Sequence, residues 1–128
     1  MKPIKLLLDS RYGTYYLKDD AYTGGMDILG NFLAIDVGCS GVMTFKAWAL
    51  IDKRDPKNCF AYSINGEATQ LSDGCNNIYL TEKPVKLRMT RRQFVELLDE
   101  WQEKVCKQKP KKVIIKHKND QFFIETLD

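Results

Sequence analysis

The sequence predicts an α+β domain: a mostly antiparallel, twisted β-sheet, one principal helix at about 90–108 packed on it, and a C-terminal β-hairpin. Three observations carry this. Residues 89–108, MTRRQFVELLDEWQEKVCKQ, have helical periodicity with a marked start; residues 111–127 form two alternating runs around Asn119-Asp120; and residues 4–89 hold short alternating runs divided by glycine, proline and asparagine. A chain of 128 residues, 44% hydrophobic and 29% charged, fits one soluble domain spanning 1–128, large enough to bury a core.

At the start of the chain, Ile4, Leu6 and Leu8 alternate with polar neighbours in a first strand, Ser10–Gly13 turns, and Thr14–Leu17 returns. Residues 18–31, KDDAYTGGMDILGN, read as a connecting loop, because Gly24-Gly25 and Gly30 break regular structure. Leu33, Ile35 and Val37 alternate on the next strand. GCSG, residues 38–41, then turns into the longest apolar strand, with Met43, Phe45, Ala47, Ala49 and Ile51 on one face and Trp48 on the other, where it is either an exposed interface anchor or, the favoured reading, under a second cover. This strand is expected to lie centrally, beneath the helix. Beyond the polar loop 52–58, Phe60, Tyr62 and Ile64 lead into Asn65-Gly66, a hairpin signal with a return strand through Leu71. SDGCNN, residues 72–77, makes another turn, and Ile78–Leu80 and Val85–Met89 are short strands around Pro84, which favours an edge.

The helix is the best-specified element. Thr90 and Gln93 form a capping box, and Met89 and Phe94 stand at the positions of a hydrophobic staple. Phe94, Leu97, Leu98, Trp101 and Val105 recur at helical spacing. Glu100–Lys104 and Glu103–Lys107 are i,i+4 pairs in the favourable order, and Pro110 ends the helix. In the hairpin, a two-residue turn at Asn119-Asp120 sets Val113, Ile115 and His117 opposite Thr126, Ile124 and Phe122 on one core face. Lys112, Lys116 and Lys118 then fall on the other face, with Glu125 among them.

Composition narrows the function. The opening MKPIKLLLDS is too short in apolar residues for a signal-peptide core, and no segment approaches a membrane span, so a cytoplasmic location is expected. Cys39, Cys59, Cys75 and Cys106 contain no C-x-x-C pair, and His117 is the single histidine, so neither a zinc site nor any other metal or cofactor is predicted. Without an export signal, reduced and partly buried thiols are the expectation. No nucleophile elbow, phosphate loop or metalloprotease motif occurs, and the spacing of Asp36, Asp52 and Glu67 does not recommend them as a catalytic pair. The sequence therefore predicts a protein that is not an enzyme.

Two surface patches are candidates for binding. Residues 1–82 carry eight basic and ten acidic side chains and residues 83–128 twelve and seven, net −2 and +5, within a chain of net charge +3. Asp19, Asp20, Tyr22 and Asp27, with Asp36 as an outlying member, are either a solvated loop or a partner-binding patch in which carboxylates steer and the tyrosine supplies contact area. Arg91 and Arg92 occupy the first helical turn, where the macrodipole prefers acids; with Lys86 and Arg88 they are either solvated surface cations or an anion-binding corner. The lysine run 107–118 has Phe123 as its one aromatic neighbour, which argues against single-strand nucleic-acid binding.

Residues 89–127 resemble the C-terminal part of bacterial immunity proteins of contact-dependent growth inhibition and related polymorphic-toxin systems. The features are T-x-x-x-F-x-x-L-L-x-x-W (Thr90, Phe94, Leu97, Leu98, Trp101), a lysine-rich joint, a V-I-I strand and an F-F-I-E return strand. The resemblance implies a cytoplasmic, non-enzymatic toxin inhibitor that binds one cognate toxin domain and covers or distorts its active site. Inhibitors of basic nuclease toxins are often acidic, and a chain of +3 departs from that pattern.

Overall fold

The computed structural model describes residues 2–18, 25–50, 63–66, 69–74, 77–82 and 85–128. Strand β1 (Ile4–Asp9) turns back through Gly13, at φ 68°, into β2 (Thr14–Leu17). Helix α1 (Gly25–Asn31) widens into a π-helical turn, Phe32–Val37, and a tight corner leads into α2 (Val42–Ala49). Four strands follow: β3 (Ser63–Asn65), β4 (Gln70–Gly74), β5 (Asn77–Glu82) and β6 (Val85–Thr90). Helix α3 (Arg91–Trp101), extended by a π-helical segment to Cys106, precedes the hairpin β7 (Lys112–Lys118) and β8 (Gln121–Leu127).

These strands make two antiparallel four-stranded sheets rather than the single one expected. The terminal sheet has the order β2-β1-β7-β8, joining both ends of the sequence, and the middle sheet has the order β3-β4-β5-β6. Helix α1 touches β1 and β2 of the terminal sheet and β5 and β6 of the middle one, so both sheets share one core. A helix covered on two sides should be apolar nearly all round. Met26, Asp27, Ile28, Leu29 and Gly30 are accordingly all buried.

The helix predicted at 90–108 is present, with both hydrogen bonds of the Thr90–Gln93 capping box and with Met89 and Phe94 buried. Its apolar stripe lies in the core: Phe94 and Trp101 are among the most completely buried large side chains, and Phe94 stacks at 5.8 Å on Phe32 and 6.0 Å from Trp48. The C-terminal hairpin has the predicted register, Ile115 opposite Ile124 and His117 opposite Phe122. Its turn residues Asn119 and Asp120 sit at φ 53° and 59°, the left-handed pair that matches strand twist in a two-residue hairpin.

Three expectations are corrected. Residues 33–37 and 43–49 are helical, not strands. Met43, Phe45, Ala47 and Ala49 alternate in the sequence, but the buried set is Val42, Phe45, Trp48 and Ala49, at helical spacing, and Met43 is 74% exposed. The expected loop 18–31 likewise contains α1, and Gly30 is inside the helix rather than a breaker. A Cβ there would overlap Ile4 Cδ1 and come within 3.1 Å of Leu17 Cδ2, so glycine lets α1 lie against the terminal sheet. Finally, Cys39 and Cys106 form a disulfide across 67 residues, with a Cα–Cα distance of 5.5 Å. The expectation of reduced thiols followed from compartment, whereas the pairing follows from the α1–α2 corner docking on the end of α3. That docking is marked by the 2.7 Å bond from Trp101 Nε1 to Gly38 O. Cys59, Cys75 and the expected strand residues Phe60 and Tyr62 lie outside the described residues.

Candidate docking surface on the terminal sheet

Alternation decides what the terminal sheet shows to solvent. Ile4, Leu6, Tyr15, Val113, Ile115 and Ile124 point into the core. The intervening residues must therefore occupy the opposite face. The register fixes their neighbours: Leu7 pairs with Tyr16 on one side and Lys112 on the other, Lys112 with Leu127, Lys5 with Ile114, Ile114 with Glu125, and Lys116 with Phe123. Tyr16, Phe123 and Leu127 are 49%, 40% and 50% exposed. From β2 to β8 the face is about 14 Å wide between outer strand axes.

Lysines are set through this apolar surface. Lys5, Lys112, Lys116 and Lys118 belong to it, against Glu125, which Lys116 Nζ meets at 3.0 Å, and Asp9, which Arg11 holds in the adjoining turn at 3.2 Å. The Arg11 guanidinium and backbone amide, both bonded to Asp9, keep that carboxyl below its usual pKa. An aliphatic centre of Leu7 and Ile114 with cations and aromatics around it has the make-up of a macromolecular interface. Its charge would attract an acidic partner.

The β8 edge of this sheet is guarded by α3. Glu100 Oε1 accepts from Ile124 N at 3.0 Å, and Lys104 Nζ donates to Ile124 O at 3.0 Å and to Glu100 at 2.8 Å. One i,i+4 ion pair thus satisfies both outward backbone groups of Ile124, which would otherwise invite another strand.

Of the acidic patch expected from the sequence, the structure describes Asp27 and Asp36. Asp27 is on α1 and 5% exposed, because that helix is covered by both sheets, so its carboxylate is unavailable to a partner. Asp36 is half-buried, its carboxylate so close to Gly66 that a Cβ there would overlap it. Asp19, Asp20 and Tyr22 lie outside the described residues.

Of the four cations of the expected anion corner, two share a strand face and two turn to helix partners. Lys86 and Arg88 are on the solvent face of β6, Lys86 Nζ 5.3 Å from the Tyr79 ring and Arg88 Nη1 3.4 Å from Asn77 Oδ1. Arg92 pairs with Glu96 at 2.9 Å along the helix. Arg91 turns to α2 and donates to Ala49 O at 2.6 Å, and burial lowers its guanidinium pKa. His117, on the core face beside the hairpin turn, lies 4.6 Å from the Phe122 ring.

What the sequence reading missed was Tyr16 and Leu7 as companions of Phe123. The lysine face of the hairpin and Phe123 were visible locally; the insertion of β1 beside β7, over a hundred residues away, has no local signal. Among the described residues no group of three or more histidine, cysteine or carboxylate side chains is placed to hold a metal ion. No single helix among them is long and apolar enough to cross a membrane. No family model, curated protein or solved structure matches the chain.

Proposed function

We propose that this protein is a toxin-neutralising immunity protein. It binds one cognate bacterial toxin domain in the cytoplasm and occludes that domain's active site, its own side chains transforming nothing. The observation that carries the reading is the exposed terminal-sheet face, where Tyr16, Leu7, Ile114, Phe123 and Leu127 lie among Lys5, Lys112, Lys116 and Lys118. The resemblance of residues 89–127 to immunity proteins supplies the class of partner. Charge supplies its chemistry: the docking surface of the toxin domain carries carboxylates, which also accommodates a chain of net charge +3.

The test is co-expression with the C-terminal domain of the exported protein encoded immediately upstream. A stable one-to-one complex is expected, whose association slows as salt rises. The double variant Lys5→Glu/Lys116→Glu should weaken it about tenfold or more while leaving the melting temperature unchanged. Failure of the pair to associate would end the immunity reading; full affinity in the double variant would move the interface elsewhere.

A second reading, a small nucleic-acid- or anion-binding module, draws on Lys86 and Arg88, which flank Tyr79 on the middle sheet. A salt titration with a short single-stranded RNA separates the two, since phosphate neutralisation gives a steep log–log slope.

A further inference from the structure

The Cys39–Cys106 disulfide is unequally presented. Cys39 is exposed on the corner between α1 and α2, and Cys106 is half-buried against the core. Cys39 borders an open groove between α2 and α3, lined by Val42, Met43, Asp99 and Gln102. Cations and anions near this groove are largely matched: Lys46 bonds Asp99 at 2.6 Å and Lys107 bonds Glu103 at 2.5 Å. Lys109 differs. Its Nζ lies 3.4 Å from Cys39 Sγ and 3.3 Å from Gly13 O, and among the described residues no carboxylate meets it. Its backbone is left-handed, at φ 50°, and its amide donates to Val105 O at 2.9 Å, which fixes the side chain's point of departure above the sulfur.

We infer that Cys39–Cys106 is a thiol–disulfide exchange site for a dithiol reductant, and that Cys39, paired with Lys109, is its reactive sulfur. The thiolate of the dithiol attacks Cys39 Sγ, on the more exposed residue of the pair, and the electron pair of the S–S bond departs on Cys106 Sγ. That sulfur takes a proton from solvent and, as a thiol, donates to Gly38 O, 3.6 Å away. The second thiolate of the reagent then attacks its own sulfur in the mixed disulfide and expels Cys39 as a thiolate facing the Lys109 ammonium. Two electrons pass to the protein, and the dithiol leaves as its cyclic disulfide, having released two protons, one of which Cys106 has taken up. A neighbouring ammonium favours both the departure and the persistence of a thiolate. The α1–α2 corner therefore has two covalent states, one tied to α3 and one released. This holds whichever partner occupies the terminal sheet.

The experiment uses the full chain, folded, in graded mixtures of reduced and oxidised dithiothreitol at pH 7. Acid quenching, iodoacetamide trapping and peptide mapping separate this pair from Cys59 and Cys75. The pair should open without denaturant, with the far-ultraviolet dichroism retained. In the reduced protein Cys39 should alkylate about tenfold faster than Cys106. Lys109→Gln should slow Cys39 several-fold and move the midpoint of its rate–pH profile upward, and Lys109→Arg should restore both. A pair that opens only in denaturant, or equal Cys39 rates in the wild-type and Lys109→Gln proteins, would overturn the assignment.

Discussion

Arg91, the first residue of α3, donates its guanidinium to the carbonyl of Ala49, the last residue of α2, at 2.6 Å. A cation at a helix start is misplaced with respect to its own helix dipole, but here it serves the carbonyl end of another, where positive charge is favoured. Arg91→Ala should cost about 1.5–3 kcal/mol, as for a lost hydrogen bond to a charged group. Arg92→Ala, which removes an exposed pair with Glu96, should cost about 0.5 kcal/mol or less. Urea denaturation of the two variants makes the comparison.

Gly30 is expected to resist substitution in proportion to size. Its missing side chain gives Ile4 and Leu17 their place against α1. Gly30→Ala gains about 1 kcal/mol of helix propensity against a clash with two side-chain ends that can move, so its net effect should be small. Gly30→Val should cost about 2–3 kcal/mol by overpacking, read as a fall in melting temperature.

The Tyr15 hydroxyl donates to Pro110 O at 2.6 Å in the core, its ring edge-on to Trp101 at 5.9 Å. Burial pushes its pKa up to about 12 from 10.0, with the Asp128 charge adding to it. Because the folded state holds this proton more tightly than the unfolded one, the stability it contributes is fully present below pH 10 and is lost as pH rises through 12. Tyr15→Phe should lose about 1 kcal/mol at neutral pH and flatten the decline above pH 10. Equilibrium unfolding at pH 7, 10 and 11 reads both effects.

Closing a loop of 67 residues restricts the unfolded chain, which is worth about 4 kcal/mol in the chain-entropy account. The double variant Cys39→Ala/Cys106→Ala should therefore be destabilised by about 2–4 kcal/mol, with its secondary structure intact by circular dichroism. An undiminished melting temperature would show that the tie contributes no net stability.

Removing the guard on the sheet edge should expose it. In Glu100→Ala/Lys104→Ala the amide and carbonyl of Ile124 lose both side-chain partners and become available to another strand. Concentration-dependent self-association is expected on size-exclusion chromatography, with the wild type eluting unchanged over the same range.

How much of this was legible depends on whether the signal was local. Thr90, Gln93, Met89 and Phe94 specify the start of α3 within six residues, and Asn119-Asp120 specifies the hairpin turn, so both elements fell where expected. Around α2 the apolar residues are so dense that period two and period 3.6 both fit. Burial of Trp48 with Phe45, and exposure of Met43, are outcomes of packing that no single-residue preference announces. The disulfide and the docking face share a deeper obstacle. Each is made by segments far apart in sequence, Cys39 with Cys106 and β1 with β7, and nothing in either segment names the other.

The position of β1 between β2 and β7 carries one more implication, for synthesis in the cell. Residues 4–9 emerge about a hundred residues ahead of the strand that flanks them, so early in translation they have just one neighbour, β2. The lysine-studded face cannot form until residues 112–127, which supply half its width, have been made. A chain cut short before Lys112 therefore carries no such face, whatever that face binds.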